Sequence, residues 1–170
     1  MTRVLDTMSN IGRSLVVDWT ANEGNPKGQI ILILFRAAHA IRRMPEPWWL
    51  LGLPYLAAYR LLVEWVLGVE LRYKTRVGPG LRLFHGQALV VHEGTIIGTD
   101  CTLRQSTTIG NKTTGDRGCP VLGNRVDVGA NVVILGAVRI GDGATIGAGS
   151  VVVHDDPAGA TVVGNPARVV

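Results

Sequence analysis

From Leu122 onward an aliphatic residue falls at every sixth position: Leu122, Val128, Ile134, Ile140, Ile146 and Val152. Glycine often follows it, as in Val128-Gly129, Ile140-Gly141 and Ile146-Gly147. A small or β-branched residue comes four positions later, at Val126, Val132, Val138, Ala144 and Ser150. Neither the period of about 3.6 of an amphipathic helix nor the period of about 2 of a flat strand accounts for this. A chain that makes a short strand, turns a corner and repeats does, because one aliphatic per hexad then points inward. The spacing therefore predicts a mainly β hexapeptide solenoid, a parallel β-helix.

The repeat does not fill the chain. Of the 22 glycines, 18 lie from Gly68 onward, whereas all four tryptophans (Trp19, Trp48, Trp49, Trp65) precede it. This asymmetry predicts a helical N-terminal region over residues 1–68 and a β-helix domain over 69–170. Residues 1–26 read as irregular. Lys27 to Arg43 reads as a helix with Ile30, Ile33, Leu34, Ala37 and Ile41 as its apolar stripe, ended by Pro45-Glu46-Pro47. Trp48 to Leu67 carries only Arg60 and Glu64 as charges. Gly52 and Pro54 interrupt it, so it reads as a short element and a helix from about Tyr55, buried against a partner subunit or lying on a membrane surface.

Inward positions of the solenoid run Leu71, Val77, Leu83, then two inserted residues, then Val91, Ile97, Leu103 and Ile109. A polar loop, residues 111–120, separates Ile109 from Leu122. Loops thrown out of a rigid repeat are where binding groups gather. The net charge of +4 is dispersed and unaccompanied by stacking aromatics, which argues against a nucleic-acid face and suits a small anionic ligand. Cys101 and Cys119 make neither a disulfide framework nor a metal site, and Cys101 falls on an inward small-residue position. With no apolar signal core in the first ten residues, the chain is expected in the cytoplasm, with the inner membrane face as the alternative.

Among four histidines, His39 reads as packing, His154 as exposed and His92 as a solvated corner residue. His85 lies where the insertion breaks the hexads. An imidazole at a distortion of a rigid scaffold is a candidate general base, with a structural histidine as the rival reading. Glu70, about one coil earlier, is a candidate to orient it, against the plainer reading of an exposed charge. Cys119 is a candidate acyl-carrying nucleophile, but no base lies near it in the sequence.

The runs Gly80-Leu-Arg-Leu-Phe-His85-Gly-Gln-Ala-Leu-Val-Val-His92 and Leu103-Arg-Gln-Ser-Thr-Thr-Ile-Gly110-Asn111 resemble the serine acetyltransferase family of left-handed β-helix acyltransferases. Gly115-Asp-Arg117, Val128-Gly-Ala-Asn-Val-Val-Ile-Leu-Gly136 and Ile146-Gly-Ala-Gly-Ser-Val-Val152 extend the likeness across residues 68–170. The resemblance implies acetyl-CoA as donor, no metal, His85 as general base and Glu70 as its orienting acid. It implies a homotrimer, extensible to a dimer of trimers through the N-terminal segment, with the cofactor in a groove between subunits. The matching cofactor positions are Asn111, Ala130, Gly136, Thr145 and Ala148; those for acceptor binding are Phe84, Asp116 and Arg117.

Two departures bear on the acceptor. Phe84 stands where the family has an aspartate, which removes a charged partner worth about 1.5–3 kcal/mol to an α-ammonium group. Gly118-Cys119 stands where a second histidine follows the Asp-Arg pair. Cys119-Pro-Val-Leu-Gly-Asn124 resembles the colanic-acid and capsule-type acetyltransferases instead. That resemblance implies O-acetylation of a sugar in exopolysaccharide assembly. L-Serine O-acetylation is the alternative, and a non-catalytic hexapeptide trimer a second one.

Overall fold

The structure is a computed structural model describing residues 14–113, 115 and 118–170. Asp116 and Arg117 lie outside the described residues. From Val69 the described residues wind through fifteen short strands. β1 (Val69–Leu71), β4 (Leu89–Val91), β7 (Thr108–Gly110), β10 (Val133–Leu135) and β13 (Val151–Val152) stack as sheet A. β2 (Arg76–Val77), β5 (Ile96–Ile97), β8 (Val121–Leu122) and β11 (Arg139–Ile140) form sheet B. β3 (Arg82–Phe84), β6 (Thr102–Arg104), β9 (Asp127–Val128), β12 (Thr145–Ile146) and β14 (Thr161–Gly164) form sheet C, with β15 (Ala167–Val169) folded back antiparallel on β14. Successive coils are parallel: a parallel β-helix, as the hexads require.

Register shows where the hexads hold and where they break. Val133 pairs with Val151, three hexads on. Val69 pairs with Leu89, three hexads and two residues on, so the insertion falls between β3 and β4. Thr108 pairs with Val133, three hexads and seven residues on, which is the loop between β7 and β8. The inward residues Leu71, Leu83, Val91, Ile97, Leu103, Ile109 and Leu122 are each no more than 2% exposed, and Val77 is half-buried. The small residues four positions on, Val126, Val132, Ala144 and Ser150, are buried too.

The glycine after each inward aliphatic has a steric cause at the corner between sheets B and C. A Cβ on Gly98 would sit 2.3 Å from the Gly123 carbonyl oxygen in the next coil, and one on Gly78 would sit 2.7 Å from the Gly98 carbonyl. The obstacle is backbone, which cannot swing away. Gly98→Ala is therefore expected to cost about 3 kcal/mol by overpacking, read as a lowered urea midpoint at unchanged m-value.

The N-terminal region closes the open end of the coil. Helix α1 (Pro26–Arg42) starts behind Asn25, whose side chain accepts from Gly28 N–H. Its buried face is Gly28, Ile31, Leu32, Phe35 and Ala38, one step round from the expected stripe, and Ile30 is 54% exposed. The run from Ile30 to Phe35 is apolar throughout, so periodicity alone gives the face no contrast. Arg36 sets it. The guanidinium pairs with Asp18, with Nε to Oδ2 at 2.7 Å, and donates to the Val77 and Gly78 carbonyls at 2.7 and 2.6 Å on the exposed edge of sheet B.

Residues 18–25 are equally specific, although irregularity was the expectation for this stretch. Asp18 accepts from Leu81 N–H at 3.0 Å, and Asn22 brackets β3 by donating to Leu81 O at 2.7 Å and accepting from Leu83 N–H at 3.0 Å. Asn22 thus plays the part of a missing neighbour strand. A 3-10 turn over Trp48–Gly52 leads into α2 (Leu53–Tyr59), which runs on as a π-helix over Arg60–Val66, so the helix begins slightly earlier than Tyr55. Leu56, Tyr59 and Val63 are buried, and the Tyr59 hydroxyl donates to Leu71 O at 2.6 Å on the edge of sheet A. Among the described residues, no helix is long and apolar enough to cross a membrane.

Candidate active site

The two inserted residues fall at the corner between sheets C and A. Later coils pass that corner with one left-handed residue, Ser106, Asn131 or Gly149. The first coil uses three: His85 at φ +63°, Gly86 at +64° and Ala88 at +54°. The corner bulges and carries His85 outward into solvent. Glu70 points out from β1, one strand from β4, with Val90 as its register partner. Its carboxylate accepts from Arg72 Nη2 at 3.3 Å rather than from His85, and Arg72 Nε lies 3.8 Å from Glu64. Arg72 is thus a site residue that the sequence reading passed over, although its outward position beside Glu70 was the available signal.

Sheet A presents a cleft of about 370 Å³ lined by Glu70, Val90, His92, Thr108, Asn111 and Leu135. At its far edge, at the corner between sheets A and B, stands His92. His92 is exposed at this corner, as expected of it, and its Nδ1 lies 3.1 Å from Cys119 Sγ. Gly94 N–H donates to the same Nδ1 at 3.0 Å. A base does stand beside the Cys119 thiol, supplied by the preceding coil. Cys101, by contrast, is buried and its thiol bonds the Gly123 carbonyl at 3.1 Å, and burial pushes that thiol's pKa up.

Phe84 ends β3 beside His85 and is 39% exposed. The Arg104 and Arg82 guanidiniums lie 5.5 and 5.9 Å from its ring centroid. Arg104 is paired with Asp127, and Arg82 donates to Ala21 O at 2.6 Å. The surroundings are an aromatic face flanked by cations. His39 bonds the Tyr73 carbonyl through Nδ1 at 2.8 Å and is half-buried, with burial lowering its pKa, while His154 is exposed.

The expected cofactor positions fall in two groups. Asn111 and Gly136 lie at the corner between sheets A and B in successive coils, where Gly136 N–H donates to Gly110 O at 2.9 Å. Ala130 and Ala148 lie at the corner between sheets C and A, where Gly149 N–H donates to Ala130 O at 2.9 Å. Thr145 faces outward from β12 near that second group. One protomer does not gather them. Among the described residues, no three histidine, cysteine or acidic side chains cluster as a metal site would require.

A parallel β-helix with a histidine at a broken corner and an extruded loop is the architecture of a hexapeptide-repeat transferase. The bacterial transferase hexapeptide (six repeats) family matches residues 119–154. A putative colanic acid biosynthesis acetyltransferase, WcaB, of Escherichia coli strain K12 is 35% identical over 160 residues, covering 91% of this chain and 98% of that protein. The serine acetyltransferase of Helicobacter pylori strain 26695 is 38% identical over 143 residues, covering 82% and 78%. The soybean serine acetyltransferase apoenzyme superposes with a TM-score of 0.81 at 30% identity, over 98% of this chain and 72% of that one. The Neisseria gonorrhoeae enzyme in complex with serine gives 0.78 at 33% identity, over 98% and 72%. The chain belongs to the hexapeptide-repeat acetyltransferases, and it is an acyltransferase.

Proposed function

We propose that this acetyltransferase uses acetyl-CoA to acetylate a sugar hydroxyl in exopolysaccharide or capsule assembly, with His85 as general base. The observation that carries the sugar reading is the neighbourhood of Phe84. A free amino acid needs an anion for its ammonium group, and the groups flanking Phe84 are the guanidiniums of Arg82 and Arg104. An exposed aromatic face suits the C–H face of a pyranose. The near full-length likeness to the colanic acid relative supports the same acceptor class.

In the proposed reaction His85 takes the acceptor hydroxyl proton while the oxygen attacks the thioester carbonyl. The tetrahedral oxyanion is held by backbone N–H groups of the glycine-rich corners, and His85 returns the proton to the departing CoA sulfur. Glu70 lies one strand from the bulge and acts as the orienting acid once substrate draws the imidazole inward, with Asp116 and Arg117 assigned to acceptor binding by the family resemblance. A homotrimer would bring the Ala130–Ala148 corner of one subunit against the Asn111–Gly136 corner of the next, making one donor groove from the two groups. The work site is the cytoplasm, with the exposed Trp48, Leu51 and Trp65 available for a further trimer contact or for the inner membrane face.

L-Serine is the second reading, favoured by the match to serine acetyltransferases in both sequence and structure. CoA release measured with L-serine beside a panel of nucleotide sugars and lipid-linked oligosaccharides separates the two. Turnover on serine with all glycans inert would overturn the sugar reading. Phe84→Ala is expected to raise KM for the glycan about tenfold with kcat little changed, because it removes binding surface and no reacting group.

A further inference from the structure

We propose that Cys119 and His92 form a thioester-exchange site, at which the acetyl group of acetyl-CoA passes reversibly to the Cys119 sulfur. The inference rests on the acetyl-CoA donor of the proposed function, but it needs neither the acceptor nor His85.

The pair is built by the stacking of two coils. Ile96 pairs with Val121, so Cys119 lies over Gly94, two residues from His92. Glycine beneath it leaves the room this contact needs: a Cβ on Gly94 would sit 2.9 Å from Cys119 Sγ and 3.3 Å from His92 Nδ1, displacing the sulfur. Gly94 N–H points at Nδ1, which in the neutral ring makes Nδ1 the acceptor and places the ring hydrogen on Nε2. In that tautomer the nitrogen 3.1 Å from the sulfur carries the lone pair, and taking the thiol proton there displaces the Gly94 hydrogen bond.

The sulfur can also be reached. Cys119 is half-buried and lines, with His92, Lys74 and Arg76, a cleft of about 450 Å³. His92 and Glu93 line both this cleft and the one on sheet A that contains Glu70 and Asn111. Cys101 shows the opposite design in the same chain, since it is buried against carbonyl oxygens and no imidazole bonds it.

The chemistry balances without a further reagent. His92 Nδ1 takes the thiol proton as Cys119 Sγ attacks the thioester carbonyl carbon. The tetrahedral adduct collapses, the carbon–sulfur bond to CoA breaks, and the departing CoA sulfur takes the proton from His92. One thioester replaces another, so the step is close to thermoneutral and runs in both directions.

Direct transfer makes no acyl-enzyme, so the diagnostic assay is isotope exchange between labelled CoA and acetyl-CoA with no acceptor present. Exchange is expected in the wild-type protein and in His85→Ala, absent in Cys119→Ser, and about 100-fold slower in His92→Phe. A second arm uses the acetyl thioester of N-acetylcysteamine and reads acetylation of the Cys119 and Cys101 peptides by mass, with melting curves to confirm that each variant is folded. Labelling is expected at Cys119 alone. Exchange absent and Cys119 unlabelled in folded wild-type protein would overturn the site, as would equal labelling rates in His92→Phe and wild type. Labelling by the short thioester without exchange from acetyl-CoA would keep the activated thiol and overturn the CoA donor instead.

Discussion

Replacing His85 by alanine is expected to lower turnover by about a hundred- to ten-thousandfold, the range set by loss of a general base. Donor binding should survive, because His85 stands on a bulge and none of the coils beyond it depends on that bulge for its register. The rise in melting temperature with acetyl-CoA is the check, since any ligand of the native state must stabilise it. His85 adopts φ +63°, a left-handed conformation that asparagine tolerates better than alanine. His85→Asn therefore separates lost chemistry from a relaxed corner. An asparagine variant with near-normal turnover would remove His85 from the mechanism.

The largest expected effect on stability lies far from the chemistry. Arg36→Met leaves Asp18, whose side chain is 2% exposed, without its cation, while a methionine of similar length fills the path of the old side chain. Removing one partner of a buried pair costs about 3–5 kcal/mol, a large share of the roughly 5–15 kcal/mol that holds a domain together. Two carbonyls on the edge of sheet B lose a donor at the same time. Urea denaturation checks this. The double variant Arg36→Met/Asp18→Asn should recover part of the loss, because no buried charge is then left alone; a double variant as unstable as the sum of the two singles would contradict this account.

The solenoid was legible because its rule is local and repeated. One aliphatic per hexad suffices to place Leu122 to Val152 inside, and a change of spacing suffices to locate the bulge at His85 and the loop after Gly110. The register also carries a long-range contact. Counting back from Val121 to its partner Ile96 sets Cys119 over Gly94 and beside His92, yet the two residues are 27 positions apart and look unrelated in the linear chain. The face of α1 was illegible for a different reason. Its neighbours choose it: Asp18 is 18 positions from Arg36, and the carbonyls of Val77 and Gly78 are 41 and 42 positions away. The bonds of Asn22 to β3 span about sixty positions and have no signature beyond an asparagine in an apparent loop.

Side chains of residues 18–59 occupy all three strand edges that the first coil would otherwise leave open, and at the far end of sheet C β15 folds back on β14. A stack of identical coils contains no internal reason to stop, because each presents to the next the same row of donors and acceptors. The N-terminal plug covers all three sheets at one end, and the hairpin covers sheet C at the other. A chain stripped of residues 1–25 would keep its hexads but lose Asp18 and Asn22, baring the edge of β3. That edge would then stand open to pairing with a second chain, while Arg36 and Tyr59 still cover the edges of sheets B and A.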